Sequence, residues 1–255
     1  MVNDRRPIAV FDSGVGGVSV LRELLIQMPN ENYIYFGDSA NAPYGSKSHD
    51  DIRTLTMQHT EKLVQNAKAL VIACNTATSV AIDDIRRKYT DIPIIGVEPA
   101  VKPATERFPG GKILVMATPA TLNEHRFIAL ATKYKNSCDI LRLPCYKLAG
   151  LIEQGHVNDS VVNDYIRELL APYKNKVDCV VLGCTHYPFV KNIISKNIGE
   201  NTIIFDGAYG TAKETKHKLT EKGLITQSMS KGTLEILTSA NRAEFERIVY
   251  KLLEL

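Results

Sequence analysis

Nine short apolar runs alternate with longer amphipathic stretches along this chain, and that alternation limits the possible folds more than any other feature. The runs are 7–11, 33–36, 69–73, 93–97, 112–117, 139–143, 177–182, 202–205 and 233–238. They are rich in Ile and Val, as strands buried on both faces are, and such strands belong to parallel sheets covered by helices. Helical patterns lie between them. Residues 48–66 carry Ser48 and Asp51 at capping spacing, with Ile52, Leu55, His59 and Leu63 near one face. Residues 241–253 carry a stripe of Phe245, Ile248, Val249 and Leu252. The alternation predicts an α/β fold with mostly parallel sheet. Nine strands in 255 residues fit two doubly wound sheets better than one eight-stranded barrel. The stretch Glu98 to Gly111, with three prolines and a glycine pair, is the best crossing point between them.

Composition excludes several classes. With 44% hydrophobic and 23% charged residues, the chain is neither disordered nor of low complexity. A net charge of +3, with no basic cluster longer than Arg86-Arg87-Lys88, gives no reason to expect a nucleic-acid partner. No apolar run approaches the roughly 18 residues of a membrane span, and Pro7 to Phe11 is too short for a signal-peptide core, so a cytoplasmic protein without a membrane partner is expected. The five cysteines, an odd number in a chain this long, fit free thiols in a reducing compartment.

Two of those thiols share a context. Cys74 follows Ala69-Leu70-Val71-Ile72-Ala73 and precedes Asn75-Thr76. Cys184 follows Val180-Val181-Leu182-Gly183 and precedes Thr185-His186. Each is expected at the carboxyl end of a parallel strand, where open α/β sheets bind ligands, and at a helix start that favours thiolate. A single cysteine ending a Val/Ile run is usually a small core residue. Two in matching surroundings, 110 positions apart, ask for another explanation. Cys179 lies five residues before Cys184, so it points to the other face and reads as structural, as does Cys138, while Cys145 is open either way. No C-x-x-C pair suggests a metal, and a Cys–His hydrolytic pair would leave one cysteine segment unexplained.

Asp12-Ser13-Gly14-Val15-Gly16-Gly17 follows the first strand and resembles a dinucleotide-binding turn, with Asp38 where a ribose-binding acid would stand. The fit is incomplete: Ser19 occupies the third glycine position, and Asp12 would face the pyrophosphate. A plain strand–helix turn is the alternative. The polar loop 37–45 offers Ser39, Asn41 and Tyr44 to a small polar ligand, and Glu153 sits at a helix end, where a solvated carboxylate is the ordinary reading.

Taken in order, Asp-Ser-Gly-Val-Gly-Gly at 12–17, Gly-Asp-Ser-x-x-x-Pro-Tyr-Gly at 37–45, Ala-Cys-Asn-Thr-Ala at 73–77 and Gly-Cys-Thr-His-Tyr-Pro at 183–188 resemble the signature segments of bacterial glutamate racemases, over essentially the whole chain. The resemblance implies two similar doubly wound domains with the active site between them, the first from 1–97 plus 207–255 and the second from 98–206. It implies interconversion of L- and D-glutamate without a cofactor, supply of D-glutamate for peptidoglycan, and a homodimer. By residue, it implies that Cys74 and Cys184 are the catalytic thiols, that Asp12 assists the first, and that Glu153 and His186 assist the second. Ser13, Pro43, Tyr44, Gly45, Asn75, Thr76, Thr118, Thr121 and Thr185 match substrate-contacting positions, and no metal is implied.

The residues agree with that chemistry on their own terms. Racemisation removes a proton on one face of a carbon and returns one on the other, which two echoed thiol segments across a crevice can do. Asn75, Thr76 and Thr185 offer donors to the developing negative charge. Glu124 and Phe127 depart from the family pattern after Thr121, and Glu124 is expected to point to solvent. Two other functions compete: a nicotinamide-dependent oxidoreductase built on the 14–19 turn, indifferent to the cysteines, and a binding protein of the racemase fold without turnover.

Overall fold

The computed structural model describes residues 4–254. All nine runs are strands: β1 (Ile8–Asp12), β2 (Tyr33–Gly37), β3 (Ala69–Ile72), β4 (Ile94–Gly96), β5 (Lys112–Ala117), β6 (Asp139–Pro144), β7 (Cys179–Gly183), β8 (Ile203–Asp206) and β9 (Leu234–Thr238). They form two sheets, ordered β4-β3-β1-β2-β9 and β6-β5-β7-β8. Every pairing is parallel. The first sheet therefore takes its edge strand β9 from the far end of the chain.

Helices cover both faces of each sheet. They are α1 (Val18–Gln27), α2 (His49–Leu63), α3 (Asn75–Lys88), α4 (Val101–Arg107), α5 (Pro119–Asn123), α6 (His125–Tyr134), α7 (Leu148–Glu153), α8 (Ser160–Leu170), α9 (Lys191–Ile198), α10 (Ala208–Glu221) and α11 (Arg242–Leu253). The strand pleat sorts side chains between the layers. In β1, Ile8 and Val10 join the core shared with α1, α10 and α11, while Ala9 and Phe11 join the core shared with α2 and α3. In β7, Val180 and Leu182 pack toward α8 and α9, and Cys179 and Val181 pack toward α4 and α6. Cys184 lies in the first of those layers and Cys179 in the second, as their odd spacing requires.

Local signals set the element ends. Ser48 caps α2 by accepting from the Asp51 amide, and Asn241 caps α11 by accepting from the Glu244 amide. The crossing at Glu98 to Gly111 holds α4 between β4 and β5. All five cysteines are buried and free. Among the described residues, no helix is long and apolar enough to cross a membrane.

Candidate active site

Cys74 closes β3 and is the N-cap of α3, where its Sγ accepts from the Ala77 amide at 3.4 Å. The strand ends there because Asn75-Thr76 can begin a helix once a side chain takes the free N–H groups. Its Sγ also lies 3.6 Å from the Ser13 hydroxyl at the end of β1. Cys184 stands just past β7, and its Sγ is 3.6 Å from His186 Nδ1. It precedes a short 3₁₀ turn (Tyr187–Val190) and not an α-helix, so the expected helix start is absent at the second thiol. The two thiols come from different sheets and reach one small cavity of about 10 Å³, the room of a single water molecule.

Most of the expected contact residues line that cavity: Ser13, Pro43, Tyr44, Gly45, Asn75, Thr76, Thr118, Thr185 and His186, with Ala149 added. No lysine or arginine reaches it. Three expected residues stand behind the wall. Asp12 is fully buried, accepting from the Gly14 amide at 2.9 Å and the Thr185 hydroxyl at 3.0 Å. Glu153, the last residue of α7, holds His186 Nε2 at 2.5 Å. Thr121 closes a triangle of hydroxyls with Thr76 and Thr118, at 3.0 to 3.3 Å. Asn75 Nδ2 is buried without a partner, a donor available to an anion.

Burial and charge set the protonation states. Burial pushes the Cys74 thiol up to about 12, and the nearby Asp12 charge adds to it, against the Ala77 amide and the Ser13 hydroxyl. Desolvation thus outweighs the helix N-terminus, and the thiolate expected at Cys74 is replaced by a thiol. Burial also raises Asp12 above the usual carboxylate range, against the opposing charge of His186. At His186, burial alone would favour the neutral ring. The contacts to Cys184 and Glu153 overcome it and hold the ring well above the ordinary imidazole value, as an imidazolium. That cation stands 3.6 Å from Cys184 Sγ.

The glycine turn has a use that the nucleotide comparison misses. A Cβ at Gly14 would strike the Glu153 carboxylate, and one at Gly16 would strike the His186 ring and the Thr185 hydroxyl. The Val15 amide donates to Glu153 Oε1 at 2.9 Å. The turn is filled by the Glu153–His186 pair from the other sheet, which leaves no cradle for a pyrophosphate. Asp38 does not face a ribose site either. It is buried, takes hydrogen bonds from Tyr44 at 2.6 Å, Ser239 at 2.6 Å and Asn41 at 3.0 Å, and lies 3.1 Å from His59. It braces the loop that brings Tyr44 to the cavity. Glu124 corrects a third expectation: its side chain is only 13% exposed, with His49 Nε2 3.2 Å away. Phe127 is core.

Proton-transfer groups offered to one small cavity from two sheets suit an isomerase acting at a carbon centre. Comparison with known proteins gives the class its family. The Asp/Glu/Hydantoin racemase model matches residues 13–214. The chain is 48% identical over 256 residues to the glutamate racemase of Clostridium botulinum (strain Alaska E43 / Type E3), covering 100% of this chain and 99% of that one. Among solved structures it is similar to the glutamate racemase of Francisella tularensis in complex with D-glutamate, with TM-score 0.86, 30% identity, and 99% and 95% of the two chains covered. It is also similar to a glutamate racemase isoform of Bacillus anthracis, with TM-score 0.89, 30% identity and the same coverage. The chain belongs to the Asp/Glu/hydantoin racemase family.

Proposed function

We propose that this chain is a glutamate racemase in which Cys74 and Cys184 act as paired acid and base without a cofactor, supplying D-glutamate for peptidoglycan. One observation carries the mechanism: two thiols from separate sheets line the same cavity, one held as a thiol and the other beside an imidazolium. The glutamate assignment rests on the full-length likeness to glutamate racemases and on the D-glutamate held by the Francisella enzyme.

In one direction, the Cys184 thiolate removes the α-proton. The C–H bond breaks and its electron pair stays on carbon. The Cys74 thiol then gives its proton to the opposite face, leaving Cys74 as thiolate and Cys184 as thiol. The reverse reaction starts from that pair, so each turnover leaves the enzyme set for the other enantiomer. Asp12, whose charge acts on Cys74, assists the first thiol, and His186 with Glu153 serves Cys184. The Asn75 amide and the Thr76, Thr118 and Thr185 hydroxyls provide fixed donors to a carbanion in a narrow cavity.

The test is incubation with D-glutamate in deuterated water with no added cofactor. Loss of the α-proton signal and of circular dichroism together is the expected result. Cys74→Ala and Cys184→Ala should each abolish inversion. Inversion that survives either substitution would overturn the two-thiol reading.

A further inference from the structure

Ser19 lies outside the cavity wall, in the first turn of α1, and is 3% exposed. Its hydroxyl has a single proton and two carbonyl oxygens within reach at the same distance. Gly16 O, in its own turn, is at 2.9 Å, and Thr185 O, in the other domain, is also at 2.9 Å. Thr185 is the residue between Cys184 and His186. It is gripped a second time from the first domain, where its hydroxyl donates to Asp12 at 3.0 Å. Both grips act on the backbone step that carries the second thiol.

We infer that Ser19 is a positioning residue that sets Cys184 opposite Cys74 through the Thr185 carbonyl, and that it does so reversibly. When the domains part, the Ser19 proton turns to Gly16 O and no buried donor is orphaned; when they close, it turns back to Thr185 O. The same hydroxyl is therefore satisfied in both states, which lets the contact favour alignment of the thiol without locking the cleft shut. A glycine at this position, as in a dinucleotide turn, would supply neither bond.

This inference rests on the two-thiol reading and makes a claim that reading does not. With Cys184 misplaced, a proton removed by Cys74 is returned to the face it left, so exchange with solvent proceeds without inversion. Ser19→Ala should raise the ratio of deuterium wash-in at the starting enantiomer to inversion by roughly fivefold, the effect of losing one neutral hydrogen bond. The measurement is made in deuterated water from each enantiomer, and the rise is expected for the enantiomer whose proton Cys74 takes. A loss of folded protein would lower exchange and inversion together and leave the ratio unmoved. An unchanged ratio overturns the role of Ser19, whether the rate falls or not. Cys184→Ala run in parallel separates the two claims: if it still inverts, the two-thiol reading itself has failed.

Discussion

His186 carries a charge that depends on its surroundings. It is 2% exposed, yet the Glu153 carboxylate at 2.5 Å and Cys184 Sγ at 3.6 Å keep its proton on. Because its affinity for that proton is higher in the folded chain than in the unfolded one, the folded chain binds more protons above the ordinary imidazole value of about 6.5. Stability from this source is complete below about pH 6.5 and is lost as pH rises through the raised value. The unfolding free energy of the wild type, measured against His186→Gln, should therefore shrink between pH 6 and pH 9. A gap between the two that stays constant across that range would contradict the imidazolium.

At the scale of elements, β1 and its glycine turn show what the sequence could and could not disclose. The strands were legible because burial on both faces leaves an unbroken apolar run, and all nine such runs are strands. The helix start at Ser48 was legible from its cap, and the last helix from its apolar stripe, while the Asn241 cap shows only in the structure. The purpose of the 14–17 turn was not. Its fillers, Glu153 and His186, lie well over a hundred positions away, and local spacing carries no record of a partner in the other domain. Asp38 was misplaced for the same reason, since Ser239 reaches it from the end of β9. Glu124 read as a solvent-facing charge because His49 stands on another element. Glu153 itself looked ordinary in isolation, and only the ordered set of motifs pointed to it. The turn makes its own prediction. Gly16→Ala adds a methyl where the His186 ring stands, so the ring and its contact to Cys184 must shift. The fold should survive, with an unchanged circular dichroism spectrum, while kcat falls by roughly a hundredfold, as a displacement of about 1 Å can cause. A Gly16→Ala enzyme of normal kcat would show that the ring position does not matter.

At the scale of the whole molecule, the cavity of about 10 Å³ is far too small for glutamate, so it must widen for substrate to enter, and a parting of the two domains that line it would do so. The contacts that span them mark where the opening is resisted. His49 of α2 meets Glu124 beside α6, and Arg126 of α6 reaches across to Asp83 of α3 at 2.9 Å while also holding Glu98 of its own domain at 2.6 Å. The His49–Glu124 contact is partly exposed, with the His49 side chain 45% accessible, so its removal should shift the open population without unfolding the chain. Thiol alkylation reads that population. Cys74 and Cys184 line the cavity, whereas Cys179 is sealed in the second sheet. Site-resolved labelling should therefore proceed at Cys74 and Cys184 before Cys179, and saturating glutamate should slow it. His49→Ala should speed labelling of both cavity thiols by up to about fivefold, the range of a partly exposed polar contact, and leave Cys179 unaffected. If His49→Ala accelerates all buried cysteines alike, the pair stabilises the fold as a whole. If it accelerates none, the domains part along another seam, and the Arg126 bridge becomes the contact that governs entry.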